Sequence, residues 1–137
     1  MACQSSPKRL LIVDDSREER EMYAEWFRSQ GWTTLQADTA TDGLRLAQEL
    51  NPDAAIVDVW LRGAASGLDL TEWLKHDMAT AMLPVVILSG LAFPADRRQA
   101  LRAGCDLFLT KPCLPAVLSR AVTELLERPA SAGMLRY

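Results

Sequence analysis

The run AAIVDV at residues 54–59 decides the fold, because it is the most apolar stretch of the chain and yet carries an acid, Asp58, near its end. Short apolar runs separated by helical patterns read as parallel strands buried on both faces. Three further runs match it: LLIVDD at 10–15, VVILSG at 85–90 and LFLTKP at 107–112. Each carries polar residues at or near its end: Asp14 and Asp15, Ser89, and Lys111 followed by Pro112. In open parallel sheets, chemistry sits outside the carboxyl ends of the strands. The sequence therefore aims three carboxylates, a hydroxyl and an ammonium at one region.

The segments between these runs read as helices and one further strand. Ser16-x-x-Glu19 has the form of a capping box, with Met22, Tyr23, Trp26 and Phe27 at helical spacing behind it and Gly31 at its end. Residues 32–37 alternate weakly, as an edge strand does. Thr39 or Thr41 caps a second helix with Ala40, Leu44, Ala47 and Leu50 facing inward, and Asn51-Pro52 stops it. Leu70, Trp73 and Leu74 mark a third helix ending near His76. Pro94 stands in the first turn of a weakly amphipathic fourth helix, about 95–103, with Ala100 and Leu101 inward against Arg97, Arg98 and Arg102 as a solvated face. Pro115 opens a fifth helix with Val117, Leu118, Ala121, Val122 and Leu125 inside. The order is five β-then-α units. With right-handed crossovers this gives an α/β fold, a parallel sheet covered by helices on both faces. The pattern alone leaves the strand order open.

A chain of 137 residues is one domain, and 49% hydrophobic composition predicts an ordered core. The expected division is a loose arm at 1–7, a globular domain at 8–128 and a tail at 129–137. A net charge of −3 predicts no direct binding of nucleic acid and no pull toward an anionic membrane. No apolar stretch approaches a membrane span, and the N-terminus lacks the apolar core of a signal peptide. Cys3, Cys105 and Cys113 form no C-x-x-C pair, and His76 is the single histidine, which argues against both zinc and a disulfide framework. A reducing, cytoplasmic setting is expected.

Taken singly, most of the strand-end groups have structural explanations. Asp14 and Asp15 could favour a helix N-terminus, Ser89 could serve as a cap, and Lys111 could be solvated. Asp58 is harder to explain, because a buried aspartate is rare unless it is paired or metal-bound. Taken together the groups carry more. Two carboxylates about 5 Å apart repel by roughly 3 kcal/mol at an effective dielectric near 20. The cluster then needs a cation or must take up protons. A donor set made only of oxygens selects a hard divalent ion, Mg²⁺ above all. A carboxylate beside Mg²⁺ can accept a phosphoryl group, with Lys111 as a second charge clamp and the Ser89 hydroxyl as a hydrogen-bond donor.

At this point the chain resembles the receiver domain of two-component response regulators over roughly residues 8–128. The resemblance rests on Asp14-Asp15, the acid in VDVWL, the hydroxyl in ILSG, the run Gly104-Cys105-Asp106-Leu107-Phe108-Leu109, and FLTKP. It implies a doubly wound, flavodoxin-like sheet of five strands in the order 2-1-3-4-5, with five helices. It implies Asp58 as phospho-acceptor, and Asp14, Asp15 and Asp58 with the Trp60 backbone carbonyl as the Mg²⁺ site. Ser89 and Phe108 would be the switch pair, and Lys111 would pair with phosphate, its bond to Pro112 being cis. The implied donor is a histidine kinase or a histidine phosphotransfer protein. The implied output is a protein target bound through the fourth helix, fifth strand and fifth helix, by a monomer or a phosphorylation-dependent dimer. Magnesium is the one cofactor implied, and catalysis is limited to the protein's own phosphorylation and dephosphorylation.

Some positions depart from the family pattern. Arg62 stands where a proline is usual, the loop before Ser66-Gly67 is one residue longer, Phe108 replaces tyrosine and Ser89 replaces threonine. Trp60, at the rim of the expected site, either is an exposed aromatic of no special role or slows water attack on an acyl phosphate. Two other functions compete. A haloacid-dehalogenase-like phosphatase also uses a strand-end aspartate and Mg²⁺, but that family wants a second aspartate two residues on, where this chain has Trp60. A pseudo-receiver would bind partners without ever being phosphorylated. With no output domain recognisable after residue 128, partner binding, phosphate relay or membership of a longer protein are the expected modes of action.

Overall fold

The computed structural model describes residues 7–90 and 93–128. The expected arm (but for Pro7) and the expected tail at 129–137 lie outside these residues. Five units alternate along the chain: β1 (Arg9–Val13), α1 (Arg17–Ser29), β2 (Thr33–Ala37), α2 (Ala40–Leu50), β3 (Ala54–Asp58), α3 (Gly67–His76), β4 (Val85–Ser89), α4 (Pro94–Ala103), β5 (Leu107–Thr110) and α5 (Pro115–Glu127). All strand pairs are parallel, in the order β2-β1-β3-β4-β5. This is the doubly wound, flavodoxin-like α/β architecture expected from the sequence.

The apolar strands are explained by their two covered faces. Successive side chains of a strand point to opposite faces. Leu11, Val13, Ala55, Val57, Val85, Ile87 and Phe108 pack on one side with buried residues of α2, α3 and α4. Leu10, Ile12, Ala54, Ile56, Val86, Leu88, Leu107 and Leu109 pack on the other with Tyr23, Ala24 and Phe27 of α1 and Leu118, Ala121 and Val122 of α5. β2, at the edge, stays largely half-exposed.

Local chemistry sets the helix ends. Thr39, not Thr41, caps α2, its hydroxyl accepting from the Asp42 N–H at 3.1 Å. Ser66 and Asp69 form a reciprocal capping box on α3. Four inward assignments change. Leu101 is 42% exposed, and Ala103 joins Ala100 inside α4 instead. Val117, Met22 and Trp26 are also exposed, because the buried arcs of α5 and α1 are narrower than the apolar residues on them. Trp32 packs edge-on against Phe27, with ring centroids 5.5 Å apart. Among the described residues, no helix is long and apolar enough to cross a membrane.

Candidate functional site

Strand register assembles the site. Val13 pairs with Val57, so Asp14 follows β1 beside Asp58 at the end of β3. Asp58 pairs with Leu88 and Ser89 with Thr110, so Ser89 and Lys111 come to the same edge of the sheet. The Lys111 N–H donates to the Ser89 carbonyl at 2.7 Å, and the Lys111–Pro112 bond is cis.

The Lys111 ammonium is the hub, with a side chain only 18% exposed. Its Nζ lies 2.5 Å from Glu19 Oε2, 3.1 Å from Asp58 Oδ2 and 3.4 Å from Asp14 Oδ2. Oxygens of Asp14, Glu19 and Asp58 all lie within 4.8 Å of one another. Asp14 and Asp58 are buried. Asp14 Oδ1 accepts the Ser16 N–H at 2.9 Å, and its backbone carbonyl accepts from Arg20 Nη1 at 2.7 Å.

Crowded charge shows in the acidities. Burial pushes the Asp14 carboxyl up to about 7, helped by a hydrogen bond with Glu19 and the charge of Asp58, against the Ser16 N–H and Lys111. Burial also raises Asp58, opposed by Lys111 and by the Trp60 N–H. Glu19 is lowered, first by its hydrogen bond with Asp14 and, against burial, by Lys111. Burial alone would lower Lys111, but hydrogen bonds to Glu19 and Asp58 hold it above the usual lysine range.

With all three acids ionised, the cluster carries two more negative charges than Lys111 neutralises. A divalent cation would cancel that excess, and closely spaced, mostly buried carboxylate oxygens are the donors a hard ion takes. The cluster thus fits a small divalent metal. Asp15 is exposed and is not among the three clustered acids.

Glu19 is the member that sequence reasoning passed over. Its spacing from Ser16 makes it the acidic end of a capping box, and the forward half of that box exists: Ser16 Oγ accepts the Glu19 N–H at 3.3 Å. The return half is replaced by the bond from Ser16 N–H to Asp14, which leaves the Glu19 carboxylate to enter the site.

Phe108 packs on the opposite face of the sheet, and Ser89, the last residue of β4, stands at the strand-end edge that carries the cluster. Both are buried. The Arg97 guanidinium covers the Phe108 ring, so α4 is not simply a solvated arginine face.

The loop after Asp58 is tied down at several points. Arg62 pairs with Asp38 at 3.2 Å, and its N–H donates to the Asp38 carbonyl at 3.2 Å. The Gly67 N–H donates to the Val59 carbonyl at 2.8 Å. A Cβ on Gly67 would stand 1.9 Å from the Asp58 carbonyl oxygen, so α3 begins in direct backbone contact with the acid-bearing strand. The Trp60 side chain is 63% exposed beside this loop.

Residues 10–123 match the family described as "Response regulator receiver domain". The polar-differentiation response regulator DivK of Brucella anthropi is 29% identical over 106 residues, covering 77% of this chain and 85% of DivK. Among solved structures, the signal receiver domain of a signal transduction histidine kinase from Syntrophus aciditrophicus is similar with a TM-score of 0.80 at 30% identity, covering 94% of this chain and 99% of that one. The chemotaxis response regulator CheY4 of Vibrio cholerae shares the fold, with a TM-score of 0.81 at 22% identity and coverage of 87% and 98%.

Proposed function

The chain belongs to the response regulator receiver family, and from that premise we propose that Asp58 is its phospho-acceptor, charged by a phosphohistidine donor with Mg²⁺ at the acidic cluster. Family membership makes it a signalling protein of a two-component system, and that implies a histidine kinase partner. The observation that carries the finer reading is Asp58 itself. It is a buried strand-end carboxylate with Lys111 Nζ at 3.1 Å and two further acids within 4.8 Å.

In the proposed step, an Asp58 carboxylate oxygen forms a bond to phosphorus as the phosphorus–nitrogen bond of the donor breaks, and the leaving imidazole takes up a proton. Asp14, Asp58 and the Trp60 carbonyl would hold the metal, with Asp15 reaching it from the exposed side. When bound, Mg²⁺ supplies positive charge to the phosphoryl oxygens. Lys111 exchanges carboxylate contacts for a phosphoryl oxygen, and the Ser89 hydroxyl donates to another.

The proposed readout passes through Ser89 and Phe108 to α4, β5 and α5. Exposed Phe93, Leu101, Leu114 and Val117 lie on or beside α4 and α5, where they offer a protein partner apolar contacts. A histidine phosphotransfer protein is a second candidate donor.

The test is intact mass after incubation with Mg²⁺ and phosphoramidate. A gain of one phosphoryl group, lost in Asp58→Asn and without Mg²⁺, is expected. No gain with any donor would make the chain a pseudo-receiver. Turnover of many equivalents of unrelated monoesters would make it a phosphatase.

A further inference from the structure

Lysine has three ammonium protons to donate. Asp14, Glu19 and Asp58 offer acceptors for all three protons of Lys111. The shortest contact is to Glu19, which is not on any strand end: it reaches in from the first turn of α1, freed from its capping role by the Ser16–Asp14 bond.

We propose that Glu19 is a positioning residue that competes with the incoming phosphoryl group for the Lys111 ammonium, an electrostatic lock on phosphoryl acceptance; this rests on the reading of Asp58 as acceptor. Three features of the site support it. A phosphoryl group arriving at Asp58 needs an ammonium proton, and one carboxylate must give way. Glu19 is the partner placed to yield, because its side chain is 39% exposed against 5% for Asp14 and 10% for Asp58, so water can replace the lost contact. Its negative charge also opposes the negative phosphoryl oxygens within the same cluster. Charge-assisted hydrogen bonds are roughly twice as strong as neutral ones. An uncharged glutamine at this position would hold Lys111 more weakly and repel the phosphoryl group less.

The lock predicts an increase in rate, whereas a purely structural role or a role as metal ligand predicts a decrease. The experiment follows initial phosphorylation by phosphoramidate at saturating Mg²⁺, read as intact mass, in wild type, Glu19→Gln, Glu19→Asp and Glu21→Gln. In each case the Asp58 oxygen–phosphorus bond forms, the phosphorus–nitrogen bond breaks and ammonia leaves. Glu21, on the same helix, pairs with Arg28 and Gln36 outside the site and serves as control.

Glu19→Gln is expected to accept phosphate about three- to tenfold faster, a range scaled down from an unscreened charge pair to allow for solvent. Glu19→Asp should fall between it and wild type, and Glu21→Gln should match wild type. A Glu19→Gln rate equal to or below wild type overturns the lock. If that variant also needs more Mg²⁺ in a tryptophan-fluorescence titration, Glu19 is a metal ligand instead. Failure of the underlying reading looks different: wild type itself gains no phosphoryl group, or Asp58→Asn still gains one, and then the lock falls with it.

Discussion

The Arg97 guanidinium lies over the ring of Phe108, 5.3 Å from its centroid, and the ring beneath it is 2% exposed. A cation placed this way interacts with the ring face by about 0.5–1 kcal/mol at exposed sites and about 2 kcal/mol when desolvated. Arg97 is half-buried, which puts it between these limits. Arg97→Gln should therefore lower stability by about 1 kcal/mol in urea denaturation, and Arg97→Lys by less. Equal stability of the three proteins would mean that the stacking contributes nothing.

Gly67→Ala places a methyl group 1.9 Å from the Asp58 carbonyl oxygen and 2.8 Å from Val57 Cγ1. The first neighbour is backbone and cannot rotate away. The expected cost is more than about 3 kcal/mol, or loss of soluble folded protein, since overpacking against a fixed wall lies at the severe end of such changes. Near-normal denaturation of this variant would show that the start of α3 can shift.

Metal-free protein should lose stability as pH rises across the neutral range. The folded-state pKa of Asp14, about 7, lies above its ordinary 3.8, so the folded protein binds the proton more tightly than the unfolded chain. That contribution is complete below about pH 4 and is lost as pH climbs through 7. Asp58 shifts in the same direction. Thermal melts in EDTA from pH 5 to 8 should show a falling midpoint that flattens in Asp14→Asn, and Mg²⁺ should restore more at pH 8 than at pH 5. An unchanged slope in Asp14→Asn would assign the effect to other groups.

Trp60→Ala tests the aromatic at the rim. The Trp60 N–H that reaches the Asp58 carboxylate belongs to the backbone and survives the substitution. Only the bulky side chain is removed. If its role is to keep water from the acyl phosphate, the phosphorylated variant should lose its phosphoryl group several-fold faster in a mass-detected chase. An unchanged rate would make the indole a surface residue without that role.

Much of this structure was legible because both strand faces are buried. Four apolar runs and one alternating edge segment, punctuated by Pro, Gly and capping residues, leave few other ways to fold, and boundaries shifted by only a residue, as at β3, which ends at Asp58 rather than Val59. What stayed hidden depended on choices between equivalent partners. The Ser16 N–H could donate to the Glu19 or to the Asp14 carboxylate, and the outcome decides whether the Glu19 side chain closes the cap or enters the site. Asp14 and Asp15 are indistinguishable as letters, yet one is buried and the other exposed. Arg97 looked like one of three solvated arginines until β5 brought Phe108 beneath it.

The sheet divides labour between its two sides. Asp14, Glu19, Asp58 and Lys111 gather on the side of α1, Phe108 packs on the side of α4, and Ser89 stands at the strand-end edge between them. One layer of backbone separates the acidic cluster from the Arg97–Phe108 contact. If Asp58 accepts the phosphoryl group as proposed, substitutions around Phe108 and Arg97 would retune what the protein says while leaving the residues that hear untouched.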